Sequence, residues 1–153
     1  MKILHTADWH IGKILHKRSL QDEFILFSEW LLDTIKEESI ELLLISGDVF
    51  DLANPSAKDR RLYYQLLRNL NELNIQIVIT GGNHDSVGLL NAPKEILDVL
   101  NVHVIGGALD TIEDELIPIK NEAGEALIIA AVPFLRDKDL RNAETDELYK
   151  NRT

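Results

Sequence analysis

The 153 residues make about one domain's length, and 45% hydrophobic with 27% charged residues are ordinary globular proportions, which excludes disordered, collagen-like and low-complexity classes. With 26 acidic against 16 basic residues the net charge is −10, so gripping a phosphate backbone requires local basic patches or a partner that supplies positive field. The lack of cysteine excludes disulfides and thiolate zinc sites, and the apolar run after Met1 is too short for a signal or membrane segment, so a cytoplasmic protein with no membrane attachment is expected.

Apolar, β-branched runs alternate with amphipathic stretches, the pattern of a layered α/β domain. Lys2 to Thr6 predicts a first strand that ends in Asp8-Trp9-His10. Phe24, Phe27, Leu31 and Ile35 recur at helical spacing and predict a helix from about Asp22 to Glu38. Leu42 to Ile45 reads as a strand buried on both faces and closed by Ser46-Gly47-Asp48. A helix from Ala57 to about Leu73 follows, opened by Ser56 and Asp59 at capping-box spacing. Its residues Leu62, Tyr63, Leu66, Leu67 and Leu70 form a wider apolar face than one core stripe needs. Ile75 to Thr80 is the third strand, ending in Gly81-Gly82-Asn83-His84-Asp85. Asn91 is expected to cap a short helix through Leu100, with Pro93 in its first turn. Val102 to Ile105 is a strand stopped by two glycines, and Leu116 to Lys120 with Ala126 to Val132 form a hairpin. After Phe134 the chain turns polar and charged, without a sustained period.

Three successive strands thus end in polar clusters, and the C-terminal ends of parallel strands lie along one sheet edge, so the clusters converge. Taken singly, Asp-x-His is common, and Gly-Asp or Gly-Asn-His-Asp after a strand often only turns or caps the chain. Three consecutive strand ends with metal-compatible side chains are a different matter. Two carboxylates, an imidazole and a carboxamide suit manganese, iron or zinc better than calcium. Asp8 and His10, two apart on extended backbone, point to the same side as a chelating pair. Gly47 and Gly82 let the backbone turn close to a metal. Asp85 reads as a loop acid, and His5 and His103, between apolar neighbours, as core residues. Lys13, His16, Lys17 and Arg18 form the best DNA-backbone patch, with Lys58, Arg60 and Arg61 a smaller one; either can also be an ordinary solvated face.

The order Asp8-x-His10, Gly47-Asp48-x-x-Asp51 and Gly82-Asn83-His84-Asp85 resembles the calcineurin-like metallophosphoesterases. The fuller wording Ile3-Leu-His-Thr-Ala-Asp-Trp-His-Ile-Gly12, Gly47-Asp-Val-Phe-Asp51, Gly82-Asn-His-Asp-Ser86 and Pro133-Phe-Leu-Arg136 is similar to the SbcD-type nuclease subunits within that superfamily. The resemblance implies a calcineurin-like α/β sandwich and two-metal hydrolysis of DNA phosphodiesters, exonucleolytic and at hairpins, in repair and recombination. It implies two Mn²⁺ or other divalent ions, one held by Asp8 and His10, the other by Asn83, with Asp48 bridging. His84 would contact the scissile phosphate and protonate the leaving group, oriented by Asp51. The implied partners are DNA, an SbcC-type coiled-coil ATPase and a second copy of the nuclease subunit. The family also uses later histidines, and none follows His103 here. Residues 1–153 are therefore expected to be the N-terminal part of one nuclease domain, truncated at its C-terminal side. A phosphatase or cyclic-nucleotide phosphodiesterase, or a non-catalytic scaffold on the same fold, are the alternatives.

Overall fold

In the computed structural model, which describes residues 1–137 and 139, the chain runs β1 (Ile3–Thr6), β2 (Ile14–Leu15), β3 (Arg18–Ser19), α1 (Gln21–Glu38), β4 (Leu42–Ser46) and α2 (Ala57–Asn71). It continues through β5 (Gln76–Thr80), α3 (Val87–Asn91), α4 (Lys94–Val99), β6 (Val102–Ile105), a 3-10 turn (Ile112–Glu115), β7 (Leu116–Lys120) and β8 (Ala126–Ala130). Most of the polar tail expected after Phe134 lies outside the described residues.

The central sheet has the order β1-β4-β5-β6, all parallel. Each new strand adds to the same side of the last, and crossovers of one hand then carry every helix to one face. Side chains alternate across a strand, so the two faces have separate cores. Leu43, Ile45, Ile77, Ile79, Val102 and Val104 meet the helices through Leu31, Ile35, Leu66, Leu70 and Leu97. Leu42, Val78 and Ile105 meet Ile117 and Ile119 of the β7–β8 hairpin on the other face. The architecture is a helix layer, a parallel sheet and a hairpin layer, the layered α/β sandwich expected.

Several local expectations need correction. The first strand forms the edge of the sheet, so Ile3 is 44% exposed and His5 is exposed, its Nε2 2.8 Å from Ser46 Oγ, rather than a core residue. Asn91 does not cap a helix. It ends α3, a helix capped by Ser86 that the sequence pattern does not announce, and its Oδ1 accepts from Gly106 N–H at 2.9 Å. The second hairpin strand stops at Ala130, and the short β2–β3 ribbon carries no sequence signal of its own. The broad apolar face of α2 is absorbed within the chain: Tyr63, Leu66, Leu67 and Leu70 are buried and Leu62 packs against them. The capping box at Ser56 and Asp59 forms as its spacing predicts.

Candidate metal centre

Beyond the ends of β1 and β4 the two loops continue side by side. Asp8 N–H donates to Gly47 O at 3.1 Å, His10 N–H to Asp48 O at 2.9 Å, and Ile11 N–H to Val49 O at 2.9 Å. These bonds extend the parallel ladder just far enough to bring the first two polar clusters into register. Asp8, His10 and Asp48 do so on left-handed backbone, with φ of 55°, 44° and 49°. The chelating geometry therefore comes from a turn, not from the extended backbone that the two-residue spacing suggests.

The third cluster is tied to the second by Asp85. Its buried carboxylate accepts from Val49 N–H and Phe50 N–H at 3.1 and 3.0 Å and from Gly82 N–H at 2.9 Å. It is a loop acid, as its sequence position implies, and spans two loops 36 residues apart. Gly82 has a different use from the one expected: a Cβ there would come within 2.1 Å of Asp48 Oδ1, so the missing side chain makes room for Asp48 itself. Phe134 N–H donates to Gly81 O at 2.8 Å and an Arg136 Nη2–H to Asp85 O at 3.2 Å. The Pro133 to Arg136 stretch thus docks on the same loop, a contact without a local sequence signal.

The donor atoms converge. His10, Asp48 and His84 each offer a ligand atom within 4.8 Å of the others. His10 Nε2 stands 3.7 Å from both Asp8 Oδ1 and Asp48 Oδ2, too far for hydrogen bonds. Two donors each about 2.1 Å from a shared ion stand roughly 3 to 3.7 Å apart, which is this spacing. On the other side, His10 Nδ1 is buried and makes no well-directed hydrogen bond, with Asp51 Oδ1 3.1 Å away. A carboxylate behind a ligating imidazole is the usual second partner in metal sites. The donor set fits a divalent ion.

Asp48 Oδ1 accepts His84 N–H at 3.0 Å, leaving Oδ2 toward His10. Asn83 is exposed and lines, with Asp8 and Asp48, a cleft of about 360 Å³. His84 therefore stands among the clustered His and Asp donors, beside the proton-donor role expected of it, and Asn83 lines the cleft next to it. Asp51 departs most from expectation. Its carboxylate faces His10 and accepts from Lys13 Nζ at 3.0 Å, and only its main-chain oxygen meets His84, 2.8 Å from Nδ1. Of the basic patch, Lys13 is thus turned into the site and Arg18 is paired with Glu23 at 2.8 Å. His16 and Lys17 stay exposed at the turn of the β2–β3 hairpin.

The family model for calcineurin-like phosphoesterases matches residues 1–149. The chain belongs to that family. Divalent-metal use goes with membership, in agreement with the donor set. The chain is also similar to curated proteins named as the SbcD component of the SbcCD nuclease. It is 42% identical to that of Rhodobacter capsulatus over 149 residues, which covers 92% of this chain and 36% of the relative. The corresponding values are 34% over 140 residues for Escherichia coli K12, covering 92% and 34%, and 35% over 147 residues for Bacillus subtilis, covering 95% and 37%. The chain spans about a third of the length of these relatives. Among its described residues no helix is long and apolar enough to cross a membrane.

Proposed function

We propose that the chain is the N-terminal part of the nuclease domain of an SbcD-type protein, a cytoplasmic enzyme that hydrolyses DNA phosphodiesters at ends and hairpins during repair and recombination. The observation that carries this reading is the approach of His10 Nε2 to both Asp8 Oδ1 and Asp48 Oδ2 at 3.7 Å, in a chain similar to nuclease subunits over nine-tenths of its length. Asp8 and His10 would hold one divalent ion and Asn83 the other, with Asp48 as the ligand that would serve both. Bound there, two divalent ions neutralise phosphate charge and act as Lewis acids on the scissile group.

The chain's own residues do the remaining work. His84, anchored at Nδ1 by the Asp51 carbonyl, presents Nε2 to the departing sugar oxygen and in its protonated form supplies the proton. Asp48 is fixed by His84 N–H, so ligand and acid move together. His16 and Lys17 extend from the hairpin toward the DNA backbone. The acidic net charge leaves most of the grip on DNA to an SbcC-type coiled-coil ATPase. The protein also pairs with a second copy of itself. With the α2 face consumed internally, Leu26 and Trp30, 65% and 58% exposed one turn apart on α1, offer an apolar surface for pairing on this helix.

The test is the full-length gene product with Mn²⁺ on linear and hairpin DNA and on a phosphate monoester. DNA cleavage is expected, with Asp48→Ala losing bound metal and His84→Gln losing turnover while metal content stays near that of the wild type. Monoester hydrolysis without DNA cleavage would overturn the nuclease reading. For pairing, sedimentation should show a dimer that Trp30→Glu dissociates; a monomeric wild type at micromolar concentration would remove the proposal.

A further inference from the structure

We infer that Asp51 is the positioning residue for both imidazoles of the site, through two different groups: its carboxylate orients His10 and its main-chain carbonyl orients His84. The inference rests on the metal-site reading above and adds which atom sets which ring. It differs from the role the family resemblance implies, in which the Asp51 side chain acts on His84.

Asp51 stands where the two site loops part. Its N–H donates to Ile11 O at 3.1 Å, next to the single parallel bridge between Ile11 and Phe50. The residue is therefore bound to the His10 loop at its nitrogen, while its carbonyl meets His84 at 2.8 Å. A carbonyl oxygen can only accept, so His84 Nδ1 carries the hydrogen and a neutral ring keeps its lone pair at Nε2. The Asp51 carboxylate stands 3.1 Å from His10 Nδ1 without a well-directed hydrogen bond; as an acceptor-only group beside that nitrogen it favours the same tautomer for His10. His10 Nδ1 is buried with no hydrogen-bond partner, Asp51 being the acceptor nearest to it, and Nε2 is the nitrogen directed at Asp8 and Asp48. In their neutral forms both rings thus keep the lone pair at Nε2.

Lys13 completes the arrangement. Its ammonium donates to Asp51 Oδ1, the same oxygen that faces His10. The Lys13 hydrogen bond fixes that oxygen beside His10 Nδ1. Lys13 is therefore a support for the site, and a change there should act on the metal in the same direction as a change at Asp51.

A side-chain substitution separates the two functions of Asp51, since the carbonyl remains. The experiment is calorimetric titration of the protein with Mn²⁺, together with nitrogen-15 histidine spectra of the metal-free protein, for wild type, Asp51→Ala, Asp51→Asn and Lys13→Met. Asp51→Ala should weaken Mn²⁺ binding about 10- to 100-fold, as loss of an outer partner of a ligating histidine does. Its His10 ring should become a mixture of tautomers while the His84 spectrum keeps Nδ1–H. Asp51→Asn, whose amide oxygen is still an acceptor beside Nδ1, should restore part of the affinity, and Lys13→Met should weaken it less than Asp51→Ala. In turnover, Asp51→Ala should raise the Mn²⁺ requirement and lower kcat at saturating Mn²⁺ far less than His84→Gln. Unchanged Mn²⁺ affinity and an unchanged His10 tautomer would overturn the inference. So would a loss of kcat at saturating Mn²⁺ equal to that of His84→Gln, because the side chain would then act through His84. A wild type that binds no Mn²⁺ would sink the metal reading instead. The tautomer would then decide alone, a shifted His10 in Asp51→Ala supporting the positioning role and an unshifted one ending it.

Discussion

Asp8, His10 and Asp48 hold φ between 44° and 55°, a region that penalises side-chain-bearing residues by roughly 1–3 kcal/mol each when the surroundings enforce it. What enforces it is a set of short-range bonds that converge on Asp85 and Gly82. Asp85→Ala would leave the amides of Val49, Phe50 and Gly82 without their acceptor, and each buried orphan costs about 1–3 kcal/mol. The variant should therefore lose about 3 kcal/mol or more in urea unfolding, with Mn²⁺ affinity falling alongside because both ligand loops loosen. Gly82→Ala belongs to the same scale. Its Cβ would press on Asp48 Oδ1 and on Asp48 N at 2.1 and 2.2 Å, so the loop must shift. The expected result is a loss of metal affinity larger than the loss of stability, read by titration beside thermal melting. The identities of the candidate ligands were legible in the sequence, since each is a polar residue at a strand end. Their atomic roles were not: nothing in Gly47-Asp-Val-Phe-Asp51 says that the last side chain turns to His10 and its carbonyl to His84, because both partners come from other loops.

Elements held wherever their signals were local. Ser56 and Asp59 exchange both capping bonds across one turn of α2, and Ser56→Ala should cost about 1 kcal/mol of stability, measured by denaturant unfolding. Asn91 shows the limit of the same rule, since its oxygen is used by Gly106, 15 residues away across β6. The hairpin layer carries a pH-dependent tie that no local pattern shows. The Met1 ammonium bonds Glu125 in the β7–β8 turn and lies 3.5 Å from Glu41, joining the start of β1 to the layer below. The hydrogen bond with Glu125 raises the ammonium above its ordinary 8.0, and hydrogen bonds from the ammonium to Glu125 and from Asn121 to Glu41 hold both carboxyls below their ordinary 4.5. A raised ammonium stabilises the fold fully below pH 8.0 and stops doing so as pH rises through its raised value. The lowered carboxyls stabilise it above pH 4.5 and stop as pH falls through their lowered values. Thermal melting should accordingly be flattest between these limits, and Glu125→Gln should shrink the alkaline decline; an identical alkaline profile in the variant would show that the tie contributes nothing.

At the scale of the whole molecule, the alternation of strand and helix was enough to read parallel strands and one convergent edge. The alternation could not reveal that the strands add in a single direction. That direction puts every helix on one face and leaves the other to the hairpin. It also makes β1 an edge strand, so the first ligand cluster is solvent-facing on one flank: the Asp8 side chain is 70% exposed while that of Asp48, on the inner strand, is 12% exposed. The donors around this edge are unequally shared. Asp8, His10 and Asp48 can surround one position with His84 beside it, whereas a second position has Asn83 and whatever Asp48 can spare. Borderline divalent metals take four to six donors, and His10, Asp48 and His84 form the one metal-compatible group of His, Asp and Glu side chains among the described residues. Under the proposed nuclease reading, the 153-residue chain titrated with Mn²⁺ should therefore show one tight site and a much weaker second, with weak DNA cleavage, since two-metal chemistry would need both positions filled. Two tight sites of equal affinity, with cleavage to match, would mean that His5, His16 or His103 also reaches a metal, and that the donor set around Asp48 is larger than the geometry of this edge provides.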